Sequence, residues 1–209
     1  IFLNDTAILQ SSASNTSPVS TDFNFQDVSF TPRFGTSNQE HISGIESSQS
    51  INPVGVTVTN ASPVTRTITN SDIDAVKVTV TFPQIQVATD AGDLLGSSVN
   101  LQIQIQYNGG GFTTLIDDTV TGRTADAYQK EYRVNLTGSF PVDVKVVRVT
   151  ADPTSASTVN TFQFTSFTEI IDDKQTYLNS AYTSLRLDSQ QFSSIPSRKY
   201  RIRGIKVRI

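Results

Sequence analysis

The chain has 209 residues, enough for one large all-β unit or two smaller ones, with a net charge of −3 and 17% charged residues. That balance, together with frequent Ser and Thr, draws it to neither nucleic acid nor a membrane surface and points to proteins or glycans as partners. With no cysteine there is neither a disulfide framework nor a thiolate metal site, and no apolar run approaches the ~20 residues that cross a bilayer. A reducing cytoplasm suits the synthesis of such a chain. The N-terminus lacks a charged segment followed by an apolar one, as a signal peptide would have. The sequence starts at Ile1 and stops at Ile209, each within a strand pattern, as a piece of something longer would.

In chain order, a strand pattern over Ile1–Thr6 precedes a polar stretch, Ser11–Thr21, with no periodicity and the composition of a mobile loop. Phe23, Phe25, Val28 and Phe30 predict a short strand, and Ser37–Ser50 reads as a long excursion that holds His41, the single histidine. Val54, Val56 and Val58 alternate with Gly55 and Thr57 as a strand ending near Asn60. After Ala61–Ser71 the pattern becomes more regular. Val76, Val78, Val80 and Phe82 alternate up to Pro83, which cannot donate to a central ladder.

The clearest element is Ser98–Tyr107. Val99, Leu101, Ile103, Ile105 and Tyr107 alternate with Asn100, Gln102, Gln104 and Gln106, so one strand face is apolar and the other carries amides. Asn108-Gly109 tolerates positive φ at both central turn positions and predicts a tight hairpin into Phe112–Thr121. Ala125–Glu131 reads as one helical turn, Tyr132–Leu136 leads to a turn at Gly138/Pro141, and Val142–Val149 forms another strand. Phe162, Phe164 and Phe167 then lead into Glu169–Asp172.

Strands about every ten residues with almost no helical period predict an all-β fold, an antiparallel β-sandwich. Beyond it, Ser180–Leu187 and Lys199–Ile209 return to the style of the N-terminal strands. In the last stretch the apolar parity switches across Gly204, which a β-bulge would reconcile. The flanks are therefore expected to form a second, discontinuous β domain, 1–60 plus 175–209, around an inserted sandwich, 61–174.

Candidate chemistry is thin. His41 has no nearby acid or second histidine and reads as a loop or interface residue rather than a base or ligand. Asp90/Asp93, Asp117/Asp118 and Asp172/Asp173 offer oxygen ligands for a cation but lack the spacing of a calcium loop, and fit turns and strand ends. Gly122-Arg123-Thr124 lacks the glycine spacing and lysine of a phosphate loop. The Asn-X-Ser/Thr triplets at Asn4, Asn60 and Asn135 matter only in a eukaryotic secretory protein. Glu40, Glu46, Glu131 and Glu169 sit on separate segments, so no acid/base pair assembles from spacing; no enzyme activity and no cofactor are expected. The one charge concentration is Arg198, Lys199, Arg201, Arg203, Lys206 and Arg208. It reads as the solvated face of a strand, then as a subunit contact, and last as a DNA contact.

Several phrases, in order over nearly the whole chain, resemble the N-terminal hub region of the host specificity protein J family, the tail tip attachment proteins of lambda-like siphophages. They include Leu3-Asn4-Asp5-Thr6, Pro63–Thr69, Val99–Tyr107 with its Asn108-Gly109-Gly110 turn, Gly122-Arg123-Thr124, Tyr132–Leu136, Val146–Thr150, Phe167–Asp172, Asp188–Phe192 and Tyr200–Gly204. The family has Cys where this chain has Thr176, and its loops near 11–20 and 85–97 differ in length. The resemblance implies a structural component of the virion tail tip, assembled in the bacterial cytoplasm. It would link the end of the tail tube to host-receptor-binding parts located elsewhere in the protein. It also implies other phage tail proteins as partners, a homotrimer in the full-length protein, no specific nucleic acid, and no membrane contact by this stretch. The alternative from composition is a glycan- or protein-binding β-sandwich adhesin, which needs an exposed aromatic or polar groove.

Overall fold

The computed structural model describes residues 1–14, 16–187, 192 and 194–201. The chain falls into two compact units, one made of 1–43 with 174–209 and the other of 44–173.

The second unit is an antiparallel sandwich. One sheet runs β10 (Thr113–Gly122), β9 (Ser97–Tyr107), β12 (Val142–Arg148), β5 (Val64–Ile68). The other runs β11 (Tyr128–Asn135), β6 (Ala75–Phe82), β14 (Phe162–Asp172), β4 (Glu46–Val58). A small sheet of β13 (Thr158–Val159), β7 (Gln86–Ala88) and β8 (Leu94–Leu95) completes it. The period-two pattern decides what lies between the large sheets. Val99, Leu101, Ile103 and Ile105 of β9, with Val142, Val144 and Val146 of β12, share one buried cluster with Val76, Val78, Val80 and Phe82 of β6 and Phe162 and Phe164 of β14. Both sheets thus bury their apolar faces against each other, which is where most of the stabilisation resides.

The amides of β9 form a ladder on the outer face. Asn100 Nδ2 donates to Asp117 Oδ1 (2.7 Å), Gln102 Nε2 to Asp117 Oδ2 (2.8 Å), and Gln106 Nε2 to Asp143 Oδ2 (3.2 Å). These two neutral donors, Asn100 first and then Gln102, hold the Asp117 carboxyl below its usual range. The turn after β9 has the expected chemistry, with Asn108 at φ 44°, Gly109 at φ 73° and Gly110 N–H donating to Tyr107 O at 2.8 Å. The hairpin is nonetheless longer than expected, because β10 begins only at Thr113 and a bulge interrupts the register between Thr114 and Ile116. Gly138 is required by packing: a Cβ there would stand 2.4 Å from Tyr107 Cγ.

Three sequence expectations need correction. Residues 125–131 hold no helical turn. Lys130 and Tyr132 pair with Val80 and Val78 in β11, where alternate side chains facing the core outweigh local helix propensity. The excursion predicted over Ser37–Ser50 ends early, since β4 starts at Glu46 and pairs with β14 through its backbone while its Ser and Gln side chains stay exposed. For the same reason Val54–Val58 belongs to the 44–173 unit, so the first boundary lies at 43/44 and not at 60/61.

The first unit is built from paired ends of the chain. β1 (Phe2–Leu3) turns at Asn4 and Asp5, both at positive φ, into β2 (Thr6–Ala7) and pairs on its other side with β16 (Arg198–Lys199). β3 (Val28–Phe34) pairs with β15 (Ala181–Leu187) over seven residue pairs. The segment after β3 is held back on this ribbon by Arg33, which donates to the carbonyls of Glu40 and His41, and by the buried Gln39, whose Nε2 reaches Ser180 O at 2.8 Å.

Candidate functional site

Of the six basic residues read as a contact surface, Arg198, Lys199 and Arg201 lie within the described residues. Arg203, Lys206 and Arg208 lie outside them, as does the bulge expected at Gly204. Arg198 and Lys199 occupy β16, where the Asn4 turn holds the approach: Asn4 N donates to Ser197 O and Ser197 N to Asn4 Oδ1, each at 3.0 Å. Lys199 pairs with Asp5, and Arg201 lies over the Phe2 ring at 5.5 Å. Both members of the Lys199–Asp5 pair are largely exposed, so the pair adds little stability. The strand therefore displays cations that a neighbouring surface can reach.

Several of the remaining sequence candidates are engaged in structural roles. Thr124 of the Gly122-Arg123-Thr124 turn exchanges backbone hydrogen bonds with Ile85, which leaves its amide unable to cradle a phosphate. Asp172 accepts from Arg133 Nη2 at 2.7 Å, and Asp173 N donates to Ile45 O. The backbone of Asp93 closes a turn with Thr89. Among the described residues, no group of three His, Asp or Glu side chains is placed to hold a metal ion.

Two polar clusters, one buried and one half-buried, escaped the motif reading, and both carry a signal in strand parity. In β12 the inward phase runs Val142, Val144, Val146 and then Arg148, which is 1% exposed. Its Nη1 donates to Asn160 O (2.7 Å), and its Nη2 to Asn160 Oδ1 (2.8 Å) and Ala151 O (3.1 Å). Nε forms an ion pair with Asp152 Oδ1 at 3.0 Å. Burial lowers the guanidinium pKa and the Asp152 charge opposes that change. Asn60, two residues past β4, donates Nδ2 to the carbonyls of Arg148 and Val149 and its N–H to the Asp152 carboxylate, so the Asn60 amide and the Arg148 guanidinium together tie the ends of β4 and β12 to the loop before β14.

The second cluster closes an open side of the sandwich. Asp118, on the inward phase of β10, accepts from Lys130 Nζ and from the Tyr132 hydroxyl, each at 2.6 Å, across the gap between the two sheets. Burial would raise the Asp118 pKa, but the bonds from Lys130 and Tyr132 and the lysine charge outweigh it and the pKa falls. The Tyr132 hydroxyl is correspondingly pushed up, by burial first and the carboxylate second. Because the folded pKa of Asp118 lies below its unfolded value near ~3.9, the contact stabilises the fold above that value and is lost as pH falls below it. In urea titrations from pH 7 to pH 3, Asp118→Asn should lower the midpoint at pH 7 and flatten its acid dependence. Parallel pH profiles for the two proteins would refute this.

The polar groups of these two clusters tie strands to one another. Comparison with known proteins assigns them a setting. The family model described as Tip attachment protein J, FNIII-A domain, matches residues 48–173. The Tip attachment protein J of Escherichia phage SECphi4 is 33% identical over 184 residues, covering 87% of this chain and 16% of its own length. That of Escherichia phage SECphi27 is 27% identical over 176 residues, covering 83% of this chain and 15% of its own. The chain thus spans about one-sixth of the length of these relatives. A solved structure titled "CBM4 structure and function" overlays on 70% of this chain and 86% of its own, at 10% identity and a TM-score of 0.24, too low to support a shared fold or ligand. The sandwich that the alternation in β6, β9 and β12 builds is therefore a fibronectin-III-like domain, and the chain belongs to the Tip attachment protein J family.

Proposed function

We propose that this chain is a structural part of a phage tail tip, without catalytic activity, that links the end of the tail tube to receptor-binding parts elsewhere in the full-length protein. The match of residues 48–173 to the Tip attachment protein J family carries this reading. The two polar clusters agree with it, because their ionisable groups are spent on holding strands. In this reading residues 44–173 are a module inserted into the discontinuous unit, and the full-length protein is a homotrimer in contact with other tail proteins. It acts in the virion after assembly in the bacterial cytoplasm. The cations Arg198, Lys199, Arg201, Arg203, Lys206 and Arg208 meet a neighbouring subunit, and neither nucleic acid nor membrane is a partner of this stretch.

The purified 209-residue chain should leave phage adsorption to host cells unchanged at micromolar concentration. In the intact phage, charge reversal at Arg198, Lys199 and Arg201 should reduce the yield of complete tails. Competition for adsorption would move receptor binding into this stretch, and normal tail yield would remove the proposed subunit contact.

A further inference from the structure

The two halves of β4 are held by different means. From Val54 onward the strand contributes to the core: Val54 packs against the buried cluster and Val58 is itself buried within it. From Ser47 to Ile51 every residue is exposed, with Ile51 at 68%. No side chain of that half enters the sandwich core. Among the described residues β4 is also the edge of its sheet, so this half is bound on one side only, to β14 from Phe167 to Asp172.

A discontinuity separates the halves. Pro53 pairs with Ser166, the register shifts between Phe164 and Ser166, and Gly55 adopts φ 64° with nothing within 4 Å of where a Cβ would lie. A bulge with a proline and a left-handed glycine breaks the continuity that normally makes a strand open as one piece. At the far end the half-strand is held by the Asp173 N–Ile45 O hydrogen bond and by one acidic side chain. Glu46 lies 3.5 Å from Lys77 Nζ and 3.6 Å from Arg133 Nε, and its neighbour Gln49 donates to it. Those two cations belong to β6 and β11, beyond β14, so Glu46 reaches across the sheet.

We propose that residues 46–52 form a detachable strap, which leaves the sheet as a unit by release of Glu46 and bending at Pro53–Gly55 while the sandwich core stays closed. The backbone entropy regained on release is of the order that the exposed backbone hydrogen bonds return, so the side-chain contacts of Glu46 weigh in the balance towards closure. β14 remains paired with β6 over Gln163–Ile170 and becomes the new edge, open to another strand.

Native-state hydrogen exchange on the full chain, read by peptide mass spectrometry, tests this. Amides of residues 47–52 should exchange at least about 100-fold faster than those of 56–58 and 163–170. Glu46→Gln should accelerate exchange in 47–52 several-fold and leave 56–58 unchanged. Equal protection in both halves of β4 would overturn the proposal, as would a Glu46→Gln effect that spreads evenly over the sandwich.

Discussion

Ile103→Ala should destabilise the 44–173 unit by about 2–5 kcal/mol, while Gln104→Ala one residue along the same strand should change it by no more than about 0.5 kcal/mol. Ile103 is fully buried in the inter-sheet cluster, so truncation removes packed methylenes and leaves a cavity that β-sheet walls cannot readily collapse into. Gln104 faces outward, where it donates to Gln102 and Thr114 across exposed surface, and water can replace both bonds. Chemical denaturation of the full chain reads both effects. If the two units unfold separately, Ile103→Ala should lower one transition and leave the other in place. Equal midpoints for the two variants would refute the facing of β9, and a shift of a single common transition would mean that the units share one cooperative core.

Arg148→Ala should be of similar cost, about 3–5 kcal/mol, from buried acceptors left unmet at about 1–3 kcal/mol each and from the packing of the side chain that is lost. Two buried acceptors, Asn160 O and Asn160 Oδ1, and the more exposed Ala151 O would lose their donor, and the Phe162 ring would lose the guanidinium 6.0 Å from its centroid. Arg148→Met fills most of the volume and so isolates the polar part: each unmet acceptor costs about 1–3 kcal/mol, which places this variant between wild type and alanine. Asp152→Asn should be milder than either, because Asp152 is 43% exposed and the three acceptors keep their donor. Thermal or urea unfolding ranks the series. An Arg148→Ala protein within about 0.5 kcal/mol of wild type would show that the cation does not hold the strand ends.

The all-β class, the facing of β6, β9 and β12, and the chemistry of the Asn108-Gly109 turn are properties of the amino-acid order. An unbroken alternation over ten residues has only one way to bury its apolar half, and Asn-Gly is the pair that adopts left-handed φ at low cost. Pairing between the chain ends was expected of Ile1–Thr6 and Lys199–Ile209, and β1 does pair with β16, but Ile1–Thr6 is no single strand: it turns at Asn4 and Asp5 and β1 also pairs with the neighbouring β2. Tertiary structure decided the rest. β11 is a strand because Tyr132 and Val134 find the core opposite β6, although residues 125–131 by themselves read as a helical turn. The first half of β4 has no alternation at all and is a strand only because β14 offers it a backbone edge. Arg148 and Asp118 stood in the apolar phase of their strands, but their partners lie on the far side of a loop or of the sandwich. Pairing of that kind depends on which strands become neighbours in space, a long-range outcome that no local window of sequence contains.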